Sequence, residues 1–93
     1  MSKSLTGTVV TVVTVIGEIV GRLESVGDEG VTLKDPRMFV QVDAERAGFM
    51  PGIATTGEVN VSSITIKDYV TVMSSNEHSA KAWMQQTSGI ILQ

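Results

Sequence analysis

From Thr8 to Ile16 every one of nine consecutive residues is threonine, valine or isoleucine, and this run constrains the fold more than any other part of the chain. Side chains branched at Cβ lose rotamer freedom in a helix but pack well on a pleated sheet, so the run predicts a strand. Its two alternating sets, Val9-Thr11-Val13-Val15 and Thr8-Val10-Val12-Thr14-Ile16, are both largely apolar. Both faces of this strand therefore need cover. A barrel core supplies one cover, and a helix or a neighbouring subunit the other.

Beyond Gly17 the run Glu18 to Val26 alternates, with Ile19, Gly21 and Leu23 on one face and Glu18, Arg22 and Glu24 on the other, the pattern of a half-buried strand. Gly21, lacking a side chain, permits the sharp bend that a small barrel needs. Gly27-Asp28-Glu29-Gly30 reads as a tight hairpin turn into a third strand, which Asp35-Pro36 interrupts with a bend or bulge because proline has no N–H to donate. Residues 43–57, with three glycines and a proline, form a long connection. In Glu58 to Lys67 the apolar residues move from odd positions (Val59, Val61) to even ones (Ile64, Ile66), which predicts a β-bulge at Ser62-Ser63 or a strand that turns a corner there. Lys67-Asp68 is a minimal turn into a last short strand. Ser74 followed by Glu77 reads as a capping box that opens a helix ending near Gly89, beyond which Ile90-Ile91-Leu92 needs something to pack on.

These signals predict strands at about 8–17, 18–27, 30–42, 58–67 and 69–73 and a helix at about 75–87. The expected fold is all-β with one C-terminal helix: a small, strongly bent, five-stranded antiparallel barrel filling a single domain, 1–93.

Composition sets the limits on function. With 93 residues and only Phe39, Phe49, Tyr69 and Trp83 as aromatics, the core is thin and gains from subunit contacts that bury further surface. Seven Lys and Arg against 10 Asp and Glu give a net charge of −3, which argues against a basic, non-specific nucleic-acid coat but leaves room for local basic patches. The absence of cysteine excludes disulfides, thiolate metal sites and cysteine nucleophiles. No serine stands in a nucleophile-elbow context, no glycine-rich phosphate loop opens a helix, and the lone His78 has no second histidine at metal spacing; the expectation is a non-enzyme without a cofactor. The apolar run after Lys3 is broken by threonines and too short to span a membrane. A soluble, cytoplasmic protein is expected.

Gly17 to Asp35, with its two early glycines, Gly-x-Leu spacing, turn aspartate and following leucine, is similar to the first motif of the Sm/LSm (Sm-like) RNA-binding family. Ile64-Thr65-Ile66-Lys67-Asp68-Tyr69-Val70-Thr71-Val72 resembles the second. The resemblance covers about a third of the chain and implies a barrel that closes into a homo-oligomeric ring and binds single-stranded RNA, or DNA, at the pore. It places Asp28 and Glu29 in one pore turn and Lys67, Asp68 and Tyr69 in the other. The chain also departs from the family. No asparagine or base-stacking residue stands in the first turn, Lys67 replaces an arginine whose planar fork it lacks, and Asp68 replaces a glycine. The helix follows the last strand instead of preceding the first.

Each of these residues also has a plainer role. Asp28-Glu29 serves equally as a solvated acidic turn, and Lys67 with Tyr69 as an ordinary turn lysine beside a cross-strand tyrosine. Arg22, Lys34 and Arg37 read either as a solvated face or as contacts to a nucleic-acid backbone. Trp83 reads as a core plug, His78 as a surface residue, and Phe49-Met50 as a cap on the core. The expected function is a ring subunit that binds single-stranded nucleic acid and acts in RNA processing or chaperoning. The rivals are a structural or assembly ring, bacterial or phage, without nucleic acid, and a monomeric barrel that grips a peptide by its edge strand.

Overall fold

A computed structural model describes residues 5–50, 52–54 and 56–88. Six strands, β1 (Val9–Thr14), β2 (Gly17–Gly27), β3 (Gly30–Gln41), β4 (Ala47–Phe49), β5 (Ser63–Ile66) and β6 (Thr71–Ser74), precede one helix, α1 (Glu77–Thr87). All pairings are antiparallel: β2 lies between β1 and β3, β6 pairs the outer edge of β1, and the outer edge of β3 is shared by β5 and β4. The fold is thus mostly antiparallel sheet with one C-terminal helix, as the alternation predicts.

The sheet curls around a single core. Val10 and Val12 of β1, Ile19 and Leu23 of β2, and Val31 and Leu33 of β3 form its buried centre, with Ile64 and Ile66 of β5 and Val72 of β6 packed against it. Strands at opposite ends of the sheet can touch the same cluster only if the sheet is strongly bent. Each fully buried Val or Leu contributes about 1.5–3 kcal/mol by leaving water. Among the described residues β5 and β6 are not paired with each other, so the sheet is open and not a closed barrel.

The bend is built at the predicted place. Val20 faces Arg37 and Arg22 faces Lys34, which leaves Gly21 opposite both Asp35 and Pro36, a β-bulge. Asp35 takes a φ of 52°, a left-handed conformation that aspartate tolerates better than most residues. A Cβ on Gly21 would lie 3.0 Å from the Lys34 carbonyl oxygen and 3.1 Å from the Leu33 Cβ, so the glycine is what lets the strands close up. The bulge is tied from both sides. The Asp35 N–H donates to the Ser62 carbonyl, and its own carbonyl accepts the Trp83 indole N–H, both at 2.9 Å.

Four details differ from the sequence reading. β1 stops at Thr14, and Val15-Ile16 become the turn of the β1–β2 hairpin, because the Thr14 hydroxyl accepts the Ile16 N–H and donates to the Gly17 carbonyl. The expected strand at 58–67 shrinks to Ser63–Ile66; the odd-to-even change at Ser62-Ser63 is the start of the strand and not a bulge within one. The connection 43–57 holds a short strand, β4, which raises the count from five to six; Phe39 and Phe49 meet across it edge to face at 5.4 Å. The Asp43 carboxylate shapes the turn before β4 by accepting from the Arg46 guanidinium, at 2.8 and 2.9 Å, and from the Glu45 N–H. Arg46 above all holds that carboxyl below its usual range. Finally, the helix is capped by Asn76, whose side chain accepts the Ser79 N–H at 2.7 Å, and not by Ser74. The expected helix end at Gly89 and the Ile90-Ile91-Leu92 segment lie outside the described residues.

α1 lies against β2 and is tied to β3 by the Trp83 indole, so it covers those strands and not β1, for which a second cover was foreseen; Val9, Thr11 and Val13 of β1 are half-buried. Trp83 is 2% exposed, with its indole N–H on the Asp35 carbonyl and the Arg22 guanidinium 5.5 Å from its ring centroid.

Candidate nucleic-acid interface

The β2–β3 hairpin closes on the pair Gly27 and Gly30 and leaves Asp28-Glu29 as an exposed two-residue turn. Gly30 has a φ of 127°, a conformation that side-chain-bearing residues rarely adopt. It has a second reason to be glycine. A Cβ there would collide with the Ile66 carbonyl oxygen and sit 2.9 Å from the Lys67 Cα. With Val31 paired to Ile66, the backbone of the first turn rests directly on the start of the second.

The two predicted turns therefore lie together at one end of the sheet. Lys67, Asp68 and Tyr69 are all exposed between β5 and β6, and Lys67 has no carboxylate within ion-pair distance among the described residues. Tyr69 stands between two depressions. The larger, about 510 Å³, is lined by Leu5, Leu23, Val26, Tyr69, Val70 and Val72, among others; the smaller, about 210 Å³, by Val15, Lys67, Asp68, Tyr69 and Val70. An exposed ring flanked by two hollows of mixed polarity and by an ammonium without an ion pair is chemically suited to stacking and to an anionic group. The charge of this end works the other way. Asp28, Glu29 and Asp68 set three carboxylates against one ammonium.

Apolar exposure beside these turns is the feature the alternation did not reveal. Val15 is 92% exposed, Ile16 77% and Val70 66%, and Val15 and Val70 line the same hollow. The available signal was that Gly17 must end the first strand early, which leaves two branched apolar residues at a tip. The other basic residues sit elsewhere: Arg22, Lys34 and Arg37 project on the face that carries α1. Of the side chains given plainer roles, Trp83 is a buried plug, His78 is exposed, and Phe49 and Met50 are half-buried.

Among the described residues no three His, Cys, Asp or Glu side chains gather as a metal site, and no helix is long and apolar enough to cross a membrane. Compared with models of protein families, with curated proteins and with solved structures, the chain matches none.

Proposed function

We propose that the chain is a subunit of a homo-oligomeric ring of the Sm-like kind, and that the ring binds single-stranded nucleic acid, RNA above all, across the end that carries Asp28, Glu29, Lys67, Asp68 and Tyr69. The observation that carries this reading is the seating of the Gly30 backbone against Ile66 and Lys67, which joins an acidic turn, a free ammonium and an exposed aromatic ring into one surface. Lys67 meets the phosphate, Tyr69 stacks on a base, and the carboxylates of Asp28, Glu29 and Asp68 accept from base N–H groups.

Ring formation has its own support. β5 and β6 each pair on one side only and lie at opposite ends of the bent sheet, so the free edge of one copy suits that of the next. A head-to-tail contact of this sort closes into a ring or runs on as a filament, depending on the angle between neighbours. The exposed Val15, Ile16, Val70 and Met73 supply apolar area next to the β6 edge. An unpaired edge without charged side chains, as in Thr71-Val72-Met73-Ser74, invites pairing. The function is binding and assembly, with no catalytic set and no cofactor invoked.

One observation favours an assembly ring without nucleic acid: the excess of carboxylates at the turn end, which repels phosphate. Native mass spectrometry with and without short A-rich and U-rich oligonucleotides separates the two. The nucleic-acid reading expects a closed oligomer that retains one of the strands, with Lys67→Ala/Tyr69→Ala weakening that retention while the ring persists. A closed ring that ignores both strands supports the assembly reading, and a monomer in dilute solution overturns both.

A further inference from the structure

Three cations converge on the outer face of β2 and β3. Arg22 and Lys34 are direct cross-strand partners, and Arg37 faces Val20, two residues along β2 from Arg22. Side chains at paired positions on one face are neighbours, about 4.5–5.5 Å apart at Cβ. Among the described residues none of the three has a carboxylate within ion-pair distance, since the ion pairs found there are Arg46–Asp43 and Lys81–Glu77. Glu18 on the same strand and Asp35 between the cations leave them unpaired.

Arg37 is the anomaly. It is 6% exposed; one Nη donates to the Pro36 carbonyl at 2.9 Å, and its buried Nε–H has no partner. A buried charge without a counter-charge is costly to a fold, and its field is poorly screened. Arg22 is held and half-buried. Its Nη1 donates to the Gly7 carbonyl at 2.8 Å while its guanidinium lies 5.5 Å from the Trp83 ring centroid. Lys34 is exposed. The face thus combines a positioned guanidinium, an exposed ammonium and a buried charge, on a protein whose net charge is negative. Cations that the neighbouring Glu18 and Asp35 leave without an ion pair are complementary to an anion.

We infer that Arg22, Lys34 and Arg37 form a second nucleic-acid contact, a phosphate-binding strip beside α1 that holds the backbone of a single strand separately from the turn end. Arg22 and Lys34 touch the phosphates. Arg37 stays beneath the surface and acts through its charge, and the arriving phosphate supplies the counter-charge that the fold withholds. This rests on the reading of the chain as a nucleic-acid binder and gives it what the turn end lacks, a group of three cations without an ion-pair partner among the described residues. Trp83, the only tryptophan in the chain, reports on the strip through its contact with Arg22.

The test titrates the full chain with a labelled A-rich or U-rich oligonucleotide over a series of salt concentrations, following anisotropy and Trp83 fluorescence together. For Arg22→Gln/Lys34→Gln the expected result is affinity roughly tenfold weaker for both sequences and a log K against log salt slope shallower by about 1.4, the value for two single-strand phosphate contacts. Arg37→Met, which keeps the volume and removes the charge, is expected to melt no lower than the parent and yet to bind the strand less tightly. Lys67→Ala/Tyr69→Ala should leave the Trp83 response in place. Unchanged affinity and salt slope in Arg22→Gln/Lys34→Gln overturn the strip, and the turn-end reading then stands or falls on Lys67→Ala/Tyr69→Ala alone. Loss of binding confined to Arg22→Gln/Lys34→Gln keeps the strip and removes the turn end. A parent chain that binds neither strand at low salt overturns both.

Discussion

Gly30 shows how one residue can hold a candidate site together. Its φ of 127° and the collision that any Cβ would make with Ile66 act at the same atom, one through the chain's own torsion and the other through a neighbouring strand. Gly30→Ala therefore destabilises by strain, of the order of 1–3 kcal/mol for the backbone alone, and by pushing the two turns apart. The expected outcome is a lower melting temperature in calorimetry together with weaker oligonucleotide binding. Gly27, where a Cβ would meet nothing within 4 Å, is the control, and Gly27→Ala leaves both nearly unchanged. The hairpin pattern Gly-Asp-Glu-Gly was legible in sequence as a turn. Which of its two glycines is sterically required was not, because the obstructing carbonyl belongs to a residue 36 positions away, Ile66 against Gly30.

At the level of elements, the bulge and the helix are one device. Asp35 is displaced out of the regular ladder by the extra residue opposite Gly21, and its freed carbonyl is where Trp83 attaches α1 to the sheet. The helix has a single buried residue, and its other ties to the rest of the fold include the Gln86 amide donating to the Met50 carbonyl at 3.1 Å and Arg22 against the Trp83 ring. Trp83→Phe keeps most of the apolar contact, removes the donor and leaves the Asp35 carbonyl unsatisfied, at a cost of about 1–3 kcal/mol. Hydrogen exchange should show this first in the amides of α1, with those of β1 and β2 still protected. Equal loss of protection throughout the sheet would mean that the helix is not a separately attached layer. Strand alternation revealed the break at Asp35-Pro36, and the volume of Trp83 marked it as a plug. That the two meet was not legible, since no local pattern links residues 35 and 83.

For the whole molecule, the open sheet is the central fact. Among the described residues β5 and β6 reach the same core from opposite sides and yet do not pair, so the chain carries two backbone edges, with exposed apolar side chains beside one of them. The proposed ring would resolve both conditions at once. Val70, which is 66% exposed and lines both hollows, belongs to that surface and not to the core. Val70→Asp is expected to yield a folded monomer: unchanged far-ultraviolet circular dichroism with the oligomer lost in native mass spectrometry. An intact ring in this variant would place the subunit contact elsewhere. Charge is also arranged on this scale, with acids at the turn end and unpaired cations on the helix face, a separation that a net charge of −3 does not disclose.

The nine branched residues of the first strand, taken alone, determined a strand, because Cβ branching and alternation are local properties that need no partner to be read. Tertiary structure decided which face is covered: a core shared by five strands takes Val10 and Val12, while the helix anchored at the bulge lies against β2 and leaves Val9, Thr11 and Val13 half-buried. It also decided where that run ends, since the hydroxyl of Thr14 turns the chain and leaves Val15-Ile16 at a tip with no core to enter. Apolar character is written in the residue, whereas burial is a relation between residues far apart in the chain. For the same reason a surface valine pair and a buried arginine emerge only once the sheet has bent.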